Sequence, residues 1–296
     1  MYIKSPLNYT GGKYKLLPHI MPSFPSECDT FVDLFAGGLN VGINIDAKTI
    51  YANDQISYLV ELYHFFQDTD TEELITDIKT VIDEYELSKT NVDGYNRLRE
   101  DYNNSKDNLK LFVLTCYSFN HQIRFNNSFK FNTPFGKERS SYNNSIEKNL
   151  REFCEALQRK KIVLTNTDFR EFDFSILKAG DMVYCDPPYL ITTGSYNDGK
   201  RGFGDWKQED DDALLELLDK LNERGIKFAL SNVFYHKGKT NEKLIEWSKK
   251  YTVTYLDKTY SNCSYHFKER DAKTVEVLVT NYEWENCEWT QMKMNL

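Results

Sequence analysis

At 296 residues, the chain is long enough for one large α/β domain carrying an insertion, or for two domains. Its formal net charge of -8 excludes a uniformly basic, polyanion-coating protein. The six cysteines (Cys28, Cys116, Cys154, Cys185, Cys263, Cys287) are scattered with no pair at metal-ligand spacing, so buried reduced thiols and no metal are expected. There is no signal peptide and no apolar run of membrane-spanning length, so a cytoplasmic protein is expected.

Charge is unevenly spread. Residues 70–108 hold eleven acids against five bases, and residues 205–223 hold eight against two. Residues 1–20 carry Lys4, Lys13 and Lys15 with no acid, and residues 117–142 carry Arg124, Lys130, Lys137 and Arg139 against Glu138 alone. Two basic regions thus stand in an acidic background, the pattern of a local polyanion contact.

In chain order, Asn8-Tyr9-Thr10-Gly11-Gly12-Lys13 is a turn signal ahead of an apolar stretch reaching Ile20. Thr30 to Phe35 predicts a strand that runs into Ala36-Gly37-Gly38 and a short helix from about Asn40. A second strand, Thr49 to Ala52, ends in Asn53-Asp54. Strand, glycine turn, helix, strand, acid is the first half of a nucleotide-binding α/β unit. The acid follows the glycines by 16 to 17 positions, close to the roughly 20 expected of a ribose-binding carboxylate.

From residue 56 the periodicity turns helical. Ile56, Leu59, Val60, Tyr63 and Phe66 share a face, and helices are predicted across 71–86, 93–103 and 144–159. Leu109 to Phe119 is apolar on most faces, which predicts a helix buried between two layers. Asn120 to Tyr142 interleaves Phe125, Phe129, Phe131 and Phe135 with Arg124, Lys130 and Lys137, and its Asn126-Asn127-Ser128 centre predicts a hairpin. A surface hairpin whose phenylalanines only seal a core fits this stretch equally well. Strands then resume at Ile162–Leu164, Met182–Tyr184, Phe228–Leu230, Val253–Leu256 and Val275–Thr280, with a helix between them carrying Leu214, Leu217, Leu218 and Leu221. The run Asp198 to Gly204 predicts a mobile loop.

The stretch Val183-Tyr184-Cys185-Asp186-Pro187-Pro188-Tyr189 concentrates the chemistry. Three buried-strand residues are stopped by two prolines, which fix a carboxylate and an aromatic ring at a strand's C-terminal edge, where open α/β sheets bind ligands. Taken alone, the stretch also fits a plain Asp-Pro turn. The glycine turn is not Gly-x-Gly-x-x-Gly and no Lys-Ser or Lys-Thr follows it, so a nucleoside without phosphates suits it better than a dinucleotide or triphosphate. If that nucleoside is S-adenosylmethionine, the anchor makes sense. An exocyclic amine of adenine is a poor nucleophile, because its lone pair is delocalised into the ring. A carboxylate (Asp186) and a rigidly held carbonyl (Pro187) accepting its two N–H bonds would localise that lone pair, while Tyr189 stacks on an extruded base.

These motifs, in this order, resemble the alpha-class DNA adenine-N6 methyltransferases. The carrying residues are Tyr9-Thr10-Gly11-Gly12-Lys13, Asp33-Leu34-Phe35-Ala36-Gly37-Gly38, Asp54 and Asp186-Pro187-Pro188-Tyr189. Asn120, Arg124-Phe125-Asn126 and Phe131-Asn132-Thr133-Pro134-Phe135-Gly136 resemble the base-reading hairpin of the Dam-type members. The resemblance spans residues 7 to about 280. It implies a Rossmann-like AdoMet-dependent methyltransferase fold, α/β with a mixed seven-stranded sheet, from residues 1–55 and 160–296. Residues 56–159 would be an inserted, mainly helical target-recognition domain carrying a β-hairpin.

The resemblance further implies that Asp186, Pro187, Pro188 and Tyr189 are catalytic. Tyr9, Lys13, Asp33, Phe35, Gly37, Gly38, Asp54, Asp168 and Asp186 would meet the cofactor, leaving S-adenosylhomocysteine as product. Asn120, Gln122, Arg124, Asn126, Pro134 and Lys137 would meet double-stranded DNA, with Arg124 reading a guanine. Ser231-Asn232 and Ser261-Asn262, after late strands, would flank the base pocket and face DNA. Three departures stand out: Leu39 lies near the family's third glycine, His121-Gln122-Ile123 is more polar than in Dam, and Lys137-Glu138-Arg139 replaces an aromatic. The target is therefore expected to be GATC or a related site such as GGATG. A monomer or weak dimer is expected, with a cognate restriction endonuclease as a possible partner. Rival readings are methylation of RNA or a protein amide, an inactive DNA-binding regulator, and a nicotinamide oxidoreductase.

Overall fold

The computed structural model describes residues 2–9, 11–192, 206–256 and 274–284. Thr10, the Asp198–Gly204 run and Ser261-Asn262 lie outside the described residues. The strands are β1 (Thr30–Asp33), β2 (Thr49–Asn53), β3 (Ile162–Thr165), β4 (Met182–Cys185), β5 (Lys227–His236), β6 (Lys239–Thr240), β7 (Thr252–Tyr255) and β8 (Thr274–Thr280). Seven of them lie in the order β3-β2-β1-β4-β5-β8-β7, and the two-residue β6 pairs with β5 as an addition to the expected seven. The pairs β2–β3, β1–β2, β1–β4 and β4–β5 are parallel, while β8 runs antiparallel to both β5 and β7. The sheet is thus mixed and mostly parallel. At its centre β4 is buried at all four positions, because both faces of the sheet are covered.

The helices are α1 (Leu17–Ile20), α2 (Ser57–Asp68), α3 (Thr71–Glu84), α4 (Val92–Ser105), α5 (Asn108–Tyr117), α6 (Asn144–Arg159), α7 (Gln208–Glu223) and α8 (Glu242–Ser248). Their starts follow capping chemistry: the side chains of Asp70, Asn91, Asp107 and Asn143 accept the first N–H groups of α3, α4, α5 and α6. Leu111 through Tyr117 of α5 are all buried, and the helix sits among α2, α3 and α4. One buried cluster joins these helices to one face of the sheet, while the cluster on the other face gathers α7, α8 and the loop after β3. No helix among the described residues is long and apolar enough to cross a membrane.

Four local expectations change. The helix foreseen near Asn40 is a single 3-10 turn, Gly42–Asn44. The first strand stops at Asp33, because the chain must turn there: Leu34 N–H still donates to Tyr184 O, but Ala36 N–H donates across to Asn53 O. Ser231 and Asn232 lie inside β5, fully buried, because that strand runs ten residues to His236. The stretch foreseen as a hairpin is held by two isolated antiparallel bridges, Ser118 to Phe135 and Phe125 to Phe131, with a turn at Asn126–Phe129. Phe125 and Phe131 turn inward and are buried against Tyr58 and Tyr102, and the free backbone groups of Phe131 are taken by the Asn103 side chain, not by a further strand.

Candidate functional site

Chain order places the site. After β1 the sheet grows outward through β2 and β3, then reverses to β4 on the other side of β1. At such a switch point the loops leaving two adjacent parallel strands diverge and open a crevice at their C-terminal ends. A cleft lies there. Tyr9, Lys13, Asp33, Phe35, Gly37, Gly38, Asp54, Asp186, Pro187, Pro188 and Tyr189 all line it. Eleven positions spread over the first 189 residues thus converge on one surface.

The loop after β1 is shaped by backbone hydrogen bonds. Asp54 accepts Gly37 N–H through Oδ2 at 2.7 Å and Ile56 N–H through Oδ1 at 2.9 Å. Tyr63 Oη donates to Gly37 O at 2.6 Å. Gly37 sits at φ +48, and a Cβ there would meet the Tyr9 ring at 3.0 Å, so only glycine admits both the turn and the ring above it. Leu39, by contrast, takes φ 54 with a side chain at 0% exposure. The left-handed conformation costs a non-glycine residue about 1–2 kcal/mol, against about 2–5 kcal/mol for emptying a buried leucine site, so burial wins. The leucine adopts the glycine-like turn rather than abolishing it.

Asp33 is buried, and its Oδ2 accepts Gly42 N–H at 2.9 Å. Burial, opposed by that hydrogen bond and reinforced by Asp186 and Asp54, raises its carboxyl to about 7. On the opposite wall Lys13 Nζ lies 2.8 Å from Asp186 Oδ2 and 3.6 Å from Glu276 Oε1, and donates to Gly11 O at 3.1 Å. It also sits 5.1 Å from the centroid of the Tyr189 ring. Tyr189 Oη is 2.9 Å from Asp186 Oδ1 and 3.0 Å from Glu276 Oε1. Burial pushes the Cys185 thiol well up, so the cysteine preceding Asp186 is no thiolate nucleophile.

Other foreseen residues lie elsewhere. Asp168 does not line the cleft; both its oxygens pair with Arg170 Nη1, at 3.0 and 2.9 Å, and Arg170 continues to Asp210. The DNA-side set clusters on the bridged loop between α5 and α6. Asn120, Arg124, Pro134 and Lys137 are exposed, and Gln122 accepts from Arg124 Nη2. Asn126 turns inward instead: its Oδ1 accepts Ser128 and Lys130 N–H groups, both at 3.0 Å, and shapes the turn. Asn120 O accepts from Asn8 Nδ2 at 2.8 Å, linking this loop to the N-terminal turn beside the cleft.

Sequence reasoning missed Glu276, Asn53 and Asn103. Asn53 donates to Leu34 O and Thr167 O and accepts Thr167 N–H, locking together the loops after β1, β2 and β3. Its place beside Asp54 was the available signal. Asn103 on α4 clamps Phe131 by donating to its O at 3.1 Å and accepting its N–H at 2.7 Å.

Does the cleft fit the cofactor that the motifs imply? S-adenosylmethionine carries a sulfonium and an ammonium. Asp54 and Asp186 line the cleft against Lys13 as the cation among its lining residues, and Asp33, with its carboxyl raised to about 7, adds a partial negative charge, so the balance suits a cationic guest. The glycine turn leaves room for close backbone approach. The residues fit.

Comparison with known proteins agrees with the geometry. The profile of the family described as D12 class N6 adenine-specific DNA methyltransferase matches residues 9–262. The chain is 52% identical over 281 residues to the Type II methyltransferase M.FokI of Planomicrobium okeanokoites, and 50% identical over 284 residues to the modification methylase StsI of Streptococcus sanguinis. Each match covers 95% of this chain but 43% of the relative, so the chain spans less than half the length of these two relatives. It is also 30% identical over 234 residues to the DNA adenine methylase of Escherichia coli K12, covering 76% of this chain and 79% of that enzyme. The chain belongs to the D12 class N6 adenine-specific DNA methyltransferases.

Proposed function

We propose that this chain transfers a methyl group from S-adenosylmethionine to the exocyclic N6 of an adenine flipped out of duplex DNA, at GATC or a GATC-like site. One observation carries the reading: Asp186-Pro187-Pro188-Tyr189 and the glycine turn open onto the same cleft at the sheet's switch point. Bound there, the cofactor supplies an electrophilic methyl on a sulfonium centre. Gly37, Gly38, Phe35 and Asp33 line its berth, Asp54 holds the berth's shape and faces the ribose, and Tyr9 covers the turn. Asp168, held by Arg170 outside the cleft lining, would have to exchange that partner to reach the adenine ring of the cofactor.

Asp186 and the carbonyl of Pro187 accept the two N–H bonds of the adenine amine and concentrate its lone pair on nitrogen. Proline on both positions keeps that carbonyl from rotating away. Tyr189 stacks on the extruded base with the ring face opposite Lys13. Residues 1–55 and 160–296 act as the catalytic unit and residues 56–159 as the recognition unit. Asn120, Gln122, Arg124, Asn126, Pro134 and Lys137 belong to the recognition unit's DNA-facing loop. The exposed Arg124 suits bidentate contact to guanine. Pairing with a cognate restriction endonuclease is the expected setting, or else service as an orphan methylase.

The test is Asp186→Ala with duplex DNA and methyl-labelled cofactor. Transfer should be lost by at least about a hundredfold, the size of a misdirected hydrogen-bond acceptor at the reacting atom. Stability should change by less than about 2 kcal/mol, since the position is a partly exposed loop carboxylate. Tight duplex binding by the wild-type chain without any transfer would favour a catalytically silent regulator instead.

A further inference from the structure

Glu276 lies in mid-β8, paired in register with Val233 of β5, yet its side chain reaches across the sheet edge to the Asp186 loop. Three groups face it there: Tyr189 Oη at 3.0 Å, Lys13 Nζ at 3.6 Å, and through them Asp186. Tyr184, buried below and bonded to Ser231 Oγ at 2.8 Å, is the next titratable neighbour. A phenol has one proton. Tyr189 Oη stands between two carboxyl oxygens at hydrogen-bond distance, so it can donate fully to only one of them. With both carboxyls ionised, an oxygen lone pair would face a carboxylate lone pair across about 3 Å, with one ammonium to serve both.

Resting on the function proposed above, we propose that Glu276 is a positioning residue of the transfer site, keeping its own proton and orienting the Asp186 carboxylate through Tyr189 and Lys13. That proton completes the chain Glu276–Tyr189–Asp186: the Glu276 carboxyl donates to the phenol oxygen while the phenol donates to Asp186 Oδ1. Burial, opposed by Lys13 and reinforced by Asp186, raises the Glu276 carboxyl above its ordinary range, so the proton is retained where an exposed glutamate would lose it. Lys13, held by Asp186, Glu276 and Gly11 O, is thereby a strut of the catalytic loop and not a phosphate contact.

The experiment compares wild type, Glu276→Gln, Glu276→Asp and Tyr189→Phe by two readouts. The first is the pH dependence of glutamate side-chain carbon chemical shifts in the cofactor-free protein, which needs no turnover. One glutamate should titrate above the others in wild type, vanish in Glu276→Gln and shift in Tyr189→Phe. The second is single-turnover methyl transfer with cofactor affinity measured separately. Glu276→Gln should slow transfer about tenfold or more and flatten the alkaline limb of its pH profile, where wild-type Glu276 loses its proton, with the dissociation constant for S-adenosylmethionine changing less than about threefold. Glu276→Asp should recover part of the pH dependence. A Glu276→Gln protein with wild-type rate and pH profile, or a Glu276 that titrates with the exposed glutamates, would overturn the proposal. If wild type shows the raised glutamate yet transfers no methyl to adenine, the functional reading fails while the carboxyl pair stands.

Discussion

Asp33 shows how one residue can carry both the logic of the cleft and a measurable cost. Its carboxyl is held up to about 7 because burial and the neighbouring Asp186 and Asp54 outweigh the Gly42 N–H it accepts. Unfolded, the same group titrates near about 3.9. The folded state therefore binds the proton more tightly. The stability linked to protonated Asp33 is complete below about pH 4 and is lost as pH rises through 7. Asp33→Asn keeps the acceptor for Gly42 but removes the titration. Urea unfolding between pH 4.5 and 7.5 should show wild type losing stability relative to Asp33→Asn as pH rises. Parallel curves for the two proteins would contradict the assignment. In the sequence Asp33 was legible as a motif residue, whereas its burial was not, because burial depends on the 3-10 turn folding back to bring Gly42 against it.

At the scale of elements, the strands and long helices were legible because their apolar periodicity is enforced by the two covered faces of the sheet. What periodicity could not show was how the loop between α5 and α6 is held. Its two bridges leave most backbone groups without a ladder, and Asn103 of α4 supplies two of the missing partners at Phe131. An asparagine in the last turns of a polar helix carries no signal of that role. Asn103→Ala should loosen the loop by about 1–3 kcal/mol, the worth of two hydrogen bonds. Hydrogen exchange at Phe131 and its neighbours would report this as lost protection, accompanied by weaker DNA binding. Unchanged protection would show that the buried Phe125 and Phe131 rings alone hold the loop.

Across the whole molecule, the cleft-lining loop Asp186-Pro187-Pro188-Tyr189 was legible as a site feature, but its supports were not. Glu276 is 87 positions from Tyr189 and meets it only because the sheet order sets β8 next to β5 and β5 next to β4. A single acid in a β-branched strand reads as an outward-facing residue until that order is known. The net charge of -8 was similarly uninformative, since basic residues gather on the loop carrying Arg124, Lys130, Lys137 and Arg139. Duplex affinity should fall steeply with salt despite the acidic total. Lys137→Ala should reduce the slope of log affinity against log salt by about 1 if that side chain meets a phosphate. A slope near zero in wild type would place DNA elsewhere or nowhere.

If the cleft delivers a methyl group to adenine N6 in duplex DNA, the modified base can be read directly. The most direct measurement incubates the purified chain with methyl-labelled S-adenosylmethionine and genomic duplex DNA lacking adenine methylation. The DNA is then digested to nucleosides for mass spectrometry, and the modified sites are mapped by sequencing. Label should appear in N6-methyladenine alone, at one recurring short sequence, with none from Asp186→Ala. Cofactor and duplex both bound by the wild-type protein with no N6-methyladenine formed, or label found on cytosine instead, would contradict it.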